Sequence, residues 1–272
     1  FIDGTKSAYK QRNLFHQMSR VINPINTSSP TAKGYLRILS GISTINAAGI
    51  EDLYALAART ILEDITNNGV NEIYVLGFSR GAILALNLTK DLCGEGATTI
   101  KVWSQFGSIS DRPVQDFGSI CEKIKAVVLV DPVNTSIALN WSTTASEKLK
   151  PNTINIFKKA QNEAVLTTAQ ISNITHAEAI PDLDHGGMMC GKKWTGWFSQ
   201  GPYKAADSNL RAVSHHAIQF LQRRGLAVMP LELKDCFDFD GAWPPCVYRP
   251  ELQPALTCSR NENLSNWELN TW

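Results

Sequence analysis

The stretch Gly77-Phe78-Ser79-Arg80-Gly81 constrains this chain most. It follows the apolar run Ile73-Tyr74-Val75-Leu76 and precedes Ala82-Ile83-Leu84-Ala85-Leu86-Asn87-Leu88, which reads as helix. Gly-x-Ser-x-Gly between a strand and a helix is the signature of a nucleophile elbow. Sterics explain the spacing. The tight turn forces the serine into a strained backbone position, and glycines two residues to either side let strand and helix close without side-chain clashes. The hydroxyl then stands clear of the sheet, above the first helical N–H groups. Serine and glycine are common residues, so the flanking pattern carries the signal.

The rest of the chain supplies a matching frame. Leu53, Leu56, Ala57, Ile61 and Ile65 recur at helical period over 50–65, and Asn67-Asn68-Gly69 ends that helix. Helix is expected again over 80–92 and over 208–224, the latter with Gly225 as its stop. Strands are expected at 73–76, 99–106, 126–130 and 153–157, with a short one at 35–39 and a strand end at 1–3. Residues 23–33 read as loop. Ala126-Val127-Val128-Leu129-Val130 is continuously apolar, as a strand covered on both faces should be. Strands alternating with helices predict an α/β domain with a mainly parallel central sheet, and the elbow within it points to the α/β-hydrolase arrangement, with helices on both faces. The catalytic body is expected over 1–230, with a small cap around 137–150. A cysteine-containing extension over 231–272 carries seven acidic and three basic residues.

Composition excludes some classes. At 272 residues, 43% hydrophobic and 19% charged, the chain has material for a sizeable core. A net charge of +1 without a Lys/Arg-rich run offers nothing to nucleic acid. No stretch reaches the length of uncharged apolar sequence that spans a membrane. A soluble chain is expected, with secretion or delivery outside the producing cytoplasm left open, because Phe1 opens directly in an apolar run. The six cysteines permit disulfides, and a stapled C-terminal tail through Cys236, Cys246 and Cys258 stands beside free structural thiols. Asn-x-Ser/Thr acceptors occur at Asn26, Asn87, Asn134, Asn140, Asn173 and Asn263, although Asn87 falls inside the expected helix.

A serine hydroxyl needs an imidazole to take its proton and a carboxylate to orient that imidazole. In this fold they follow in the order Ser, acid, His. Of the five histidines, His16 precedes the elbow, while His215 and His216 fall within a helix. His185, in the polar loop Asp182-Leu183-Asp184-His185-Gly186-Gly187, is the chosen base, with His176 the alternative. Asp131, ending the apolar strand and followed by Pro132, is the chosen acid, with Asp111 the runner-up. The oxyanion donors expected are the N–H of Arg80 and that of Gly4 or Thr5, in Asp3-Gly4-Thr5. The Arg80 side chain either recognises an anionic substrate group or pins the elbow. Residues 137–149 read as part of a lid, in which Trp141 contacts an acyl chain or packs the cap. Met188, Met189 and the Trp194–Phe198 stretch line an apolar pocket or pack on the body. No cofactor or metal is required.

In combination these residues resemble the α/β-hydrolase family of uncharacterised domain 2235, which includes phospholipase effectors of bacterial type VI secretion. Phe1-Ile2-Asp3-Gly4-Thr5 resembles its opening Phe-x-Asp-Gly-Thr, and Gly77–Ala82 its elbow. Ser40-Gly41-Ile42-Ser43-Thr44 is similar to its Gly-Val-Gly-Thr loop, with Ser43 for the second glycine. Val130-Asp131-Pro132-Val133 stands where the family has Trp-Asp-Thr-Val, and His185-Gly186-Gly187 resembles its later histidine loop. The likeness covers most of 1–229 and implies Ser79 as nucleophile, Asp131 as acid and His185 as base. It also implies an ester or lipid substrate and transient contact with a membrane surface. Three other classes make different demands on the sequence. A haloacid-dehalogenase-type phosphatase lacks its first aspartate, since Phe1 stands there. A metal hydrolase would use Asp182, Asp184, His185 and His176. A noncatalytic α/β binding module would leave Ser79 unreactive.

Overall fold

The computed structural model describes residues 1–4, 14, 18, 34–39, 49–104, 107–134, 141–158, 171–180, 183, 185 and 203–226. The elements in chain order are α1 (Ile50–Thr66), β1 (Ile73–Phe78), α2 (Arg80–Leu92), β2 (Thr99–Trp103), β3 (Ile109–Pro113), α3 (Ile120–Lys123), β4 (Ile124–Val130), β5 (Thr153–Lys158), β6 (His176–Ile180) and α4 (Tyr203–Arg223). The architecture is the expected one, α/β with a mainly parallel sheet and helices on both faces. The chain divides into two compact units.

The first unit comprises Phe1–Ser7, Arg37–Phe157 and Gln161–Ala179. Its sheet runs β1-β4-β5-β6, and β4 is parallel to both β1 and β5. Beyond β1, Ile2 forms parallel bridges to Gly77 on one side and to Leu39 on the other. From Ala126 to Val130 every residue of β4 is buried. Successive side chains point to opposite faces, so both faces are covered. Val75, Val127 and Leu129 share one core with Ala82, Ile83, Ala85 and Leu86 of α2. Leu76, Phe78, Val128 and Val130 occupy the other face and are fully buried.

Helix α2 is buried through nearly its whole length, so its apolar run needs no solvent face. Its one interior amide is fully used. Asn87 Nδ2 donates to the carbonyls of Ile83 (2.8 Å) and Ser142 (3.0 Å), and its Oδ1 accepts from Ser142 N (2.8 Å). A buried, bonded Asn87 explains why this acceptor sequence is unsuited to glycosylation. Lys90 Nζ adds a bond to Ser142 Oγ, and Glu95 accepts from the backbone of Glu147 and Lys148. These bonds hold 141–149 against the C-terminal half of α2, with Asn87 about 12 Å along the axis from Ser79 at 1.5 Å per residue. Trp141 packs on the core and meets Tyr54 with ring centroids 6.3 Å apart. Trp141 therefore takes the packing role of its two expected ones. Residues 137–140 of the expected lid lie outside the described residues.

Three features depart from the sequence reading. Thr99–Trp103 pairs antiparallel with Ile109–Pro113 in a separate two-stranded sheet instead of joining the parallel one. Its alternating burial explains this: Ile100 and Val102 face inward while Thr99 and Lys101 are exposed, the pattern of a strand with one wet face. Between 34 and 39 a single residue, Leu39, makes a bridge. A disulfide joins Cys93, at the C-cap of α2, to Cys121 in α3. The sequence had directed attention to the tail cysteines, and Cys236, Cys246 and Cys258 lie outside the described residues.

The second unit comprises Ala8–Leu36, Lys158–Ala160 and Ile180–Trp272. Within it, Val213, Ala217, Phe220 and Leu221 of α4 are buried at helical spacing, and Leu14, Met18 and Leu183 are buried too. Gly225, at φ 96°, ends α4 as expected. The Leu226 N–H reaches the Leu221 carbonyl and the Gly225 N–H that of Gln222, the Schellman pattern that satisfies orphan carbonyls. The boundary expected near Pro230 lies outside the described residues.

The disulfide generates a stability test. It spans 28 residues, so chain-entropy reasoning assigns it about 3–4 kcal/mol. We expect Cys93→Ser/Cys121→Ser to lower the urea unfolding free energy by about that amount. A non-reduced peptide map should yield the linked pair, and free thiols at both positions would refute it.

Candidate active site

Three parallel segments end side by side, and the candidate site lies at their carboxyl ends. β1 has Ile2, from the chain preceding it, on one side and β4, from the chain following it, on the other. Open α/β sheets bind ligands at such a reversal of strand order, outside the carboxyl ends of the strands. Gly4, Ser79 and Asp131 follow these three segments.

Ser79 has φ 57° and ψ −123°, a conformation that costs a non-glycine residue about 1–3 kcal/mol. Backbone bonds on two sides hold it there. Its N–H donates to the Val130 carbonyl (2.9 Å), and its own carbonyl accepts from Ala82 N (3.1 Å) and Val133 N (3.2 Å). The elbow is thus tied both to its helix and to the turn that carries Asp131. Glycines supply the space. A Cβ on Gly77 would lie 2.4 Å from the Gly81 carbonyl oxygen, and one on Gly81 would lie 2.2 Å from that of Ile2. Both obstacles are backbone, which cannot swing aside.

Asp131 stands across from Ser79, since Phe78 is in register with Val130 and neighbouring strands lie about 4.8 Å apart. It too has a left-handed backbone, φ 41°, and its N–H donates to the Ile156 carbonyl at 2.7 Å. At 2% exposure it is removed from solvent, as is Ser79 at 5%. The runner-up acid behaves differently. Asp111 lies in β3, its side chain 59% exposed and 3.7 Å from Lys101 in a surface ion pair. It follows no strand of the parallel sheet, because the run expected to place it there folds into the hairpin.

His185 is buried, at 4% exposure, and belongs to the second unit. The alternative base, His176, opens β6 and is half-buried. Asp182 and Asp184 lie outside the described residues, as do Met188, Met189, the Trp194–Phe198 stretch and the Ser40–Thr44 loop.

Arg80 is the first residue of α2, and its side chain is buried. Loss of hydration on burial lowers its pKa from the ordinary guanidinium value. A cation at this end meets the positive pole of the helix dipole, so the local electrostatics favour an anion beside it. Gly4 lies against the nucleophile: a Cβ there would meet Ser79 Cβ at 2.8 Å and the Phe78 ring at 3.0 Å. Its N–H donates to Asp3 Oδ1 at 2.8 Å, so this expected oxyanion donor already has an acceptor. Thr5 lies outside the described residues. The buried carboxylate of Asp3 is the feature that sequence reasoning passed over. Its signal was the Asp-Gly-Thr triplet itself, read there for its amides and not for its acid.

No family model, curated protein or solved structure matches the chain. The fold and site define the class by themselves: an α/β-hydrolase-like protein whose strained serine and buried aspartate are arranged consistently with serine-hydrolase chemistry.

The glycine contacts set an expectation for stability. Gly81→Ala should lower the unfolding free energy by about 1–3 kcal/mol, the usual cost of overpacking. An unchanged denaturation midpoint would mean that residues 2 and 3 do not lean on the helix start.

Proposed function

We propose that this protein is a serine hydrolase of carboxylic esters, with Ser79 as nucleophile, Asp131 as orienting acid and His185 as base. The observation that carries the reading is the strained, doubly tethered backbone of Ser79, directly across from buried Asp131. A fold spends stability on such a conformation where a hydroxyl must be presented at a fixed angle.

In the reaction, His185 takes the Ser79 proton as Oγ attacks the ester carbonyl carbon. The oxyanion falls to the Arg80 N–H and, of the two other amides expected, to that of Thr5, because the Gly4 N–H is already given to Asp3 Oδ1. The tetrahedral intermediate collapses, the alkoxide leaves with the proton from His185, and Ser79 carries the acyl group. Water, deprotonated by His185, then attacks the acyl carbon, and Ser79 regains its proton. Membership of the domain-2235 family, and with it a lipid or phospholipid ester, is the finer form of this proposal. It is supported by the opening Asp-Gly-Thr and the Gly-Phe-Ser-Arg-Gly-Ala elbow.

Intact mass after exposure to a fluorophosphonate provides the test. One adduct is expected, on Ser79, and none on Ser79→Ala. On a short-chain ester, Ser79→Ala or His185→Ala should lower kcat by about 10⁶-fold and Asp131→Asn by about 10⁴-fold. No adduct on folded wild-type protein would sink the reading and favour a noncatalytic binding module. Soluble esters cleaved with phospholipid vesicles left intact would remove the lipid form alone.

A further inference from the structure

We propose that Asp3 is a positioning residue for the hydrolytic reaction: its buried carboxylate holds the Gly4 peptide against the nucleophile. The proposal rests on the serine-hydrolase reading of Ser79.

Its starting point is a conflict at residue 4. Space demands glycine there, because any Cβ would collide with Ser79 Cβ and the Phe78 ring. Yet glycine restrains its own backbone least of all residues. Something else must keep the chain in place over the serine. Ile2 is fixed to β1, its N–H donating to the Leu76 carbonyl (2.8 Å) and its carbonyl accepting from Phe78 N (3.1 Å). Asp3 is fixed on the other side, through its N–H to the Leu39 carbonyl (2.9 Å). The next amide, that of Gly4, goes to Asp3 Oδ1. The side chain thereby continues the work of the ladder at the point where the strand pairing stops.

Burial strengthens the case. Asp3 is 2% exposed, and a carboxylate taken out of water is costly unless hydrogen bonds compensate it. A solvated turn would have served to end a strand. Here the acid is enclosed one residue from the contact with Ser79. The contact also transmits displacement. A close-packed interior does not compress, so a shift of the 3–4 peptide bears directly on Ser79 Cβ and on the first turn of α2 at Gly81. Asp3 acts through Gly4 on the serine rotamer.

The full chain carrying Asp3→Ala, Asp3→Asn or Asp3→Leu should be compared with wild type for kcat and KM on a short-chain aryl ester. Fluorophosphonate labelling and urea unfolding complete the comparison. Loss of the acceptor in Asp3→Ala should lower kcat about 100-fold with KM within about threefold, as expected when reacting groups are displaced by about 1 Å. Asn keeps a carbonyl acceptor at the same place, so Asp3→Asn should be about tenfold faster than Asp3→Ala. Should Asp3→Ala fail to fold, Asp3→Leu, similar in size and without an acceptor, takes its place in the comparison. Unchanged kcat in the acceptor-less variant overturns the proposal. So does an Asn variant as slow as the acceptor-less one, which would make charge the essential property, or a change confined to KM. Wild-type protein that takes no fluorophosphonate would instead bring down the hydrolase reading itself, and this proposal with it.

Discussion

The pairing of β1 with partners on both edges is the interaction on which the rest of the structure depends. A strained serine backbone relaxes unless its surroundings over-determine it. Here the Ser79 N–H is taken by β4 and its carbonyl is shared between α2 and the turn after Asp131. On the opposite edge, Ile2 bonds to β1 just before the elbow, and its carbonyl oxygen fills the space that a side chain at residue 81 would need. Without both partners the turn would have neither its bonds nor its walls.

The same pairing gathers ionisable groups where water is scarce. Asp3, Asp131 and Arg80 are all buried near the carboxyl end of β1, although a protein interior ordinarily rejects charge. Burial weakens hydration, and the lowered pKa of Arg80 reports that loss. Low local polarizability also makes each remaining interaction stronger and more dependent on direction. A site of this kind gains little from flexible surface charges. It gains from groups whose backbones are already fixed, as those of Ser79 and Asp131 are.

Distant parts of the first unit serve that rigidity. Helix α2 begins at the elbow and ends at Cys93, where the disulfide joins it to α3, the short helix that leads into β4. The elements bearing Ser79 and Asp131 are therefore tied together at their far ends by a covalent bond and at their near ends by hydrogen bonds. Asn87 and Lys90 fasten the 141–149 segment to the same helix. Tyr54 of α1 donates to Asp91 at 2.7 Å, and burial, reinforced by that carboxylate, pushes the phenol above its ordinary pKa. Polar residues in this helix thus act as joints between elements.

The sequence by itself determined what depends on near neighbours along the chain. The strand–Gly-x-Ser-x-Gly–helix order, the periodic helices expected over 50–65 and 80–92, the apolar β4 and the Gly225 stop are all local patterns, and each appears where periodicity and turn chemistry put it, to within a residue or two. Ser79 and Asp131 were legible for the same reason, each marked by the strand it follows. Tertiary structure decided what depends on residues far apart. It set Ile2 and β4 on opposite edges of β1, turned 99–113 into a separate hairpin, and joined Cys93 to Cys121. It also distinguished buried Asp131 from exposed Asp111, two aspartates alike in sequence as strand-following acids. Periodicity states which face of an element is apolar, but not which partner will cover it. Pairing is chosen by the collective fit of surfaces brought together from distant parts of the chain, and that choice gave Gly4 its place on Ser79 and Asp3 its enclosed carboxylate.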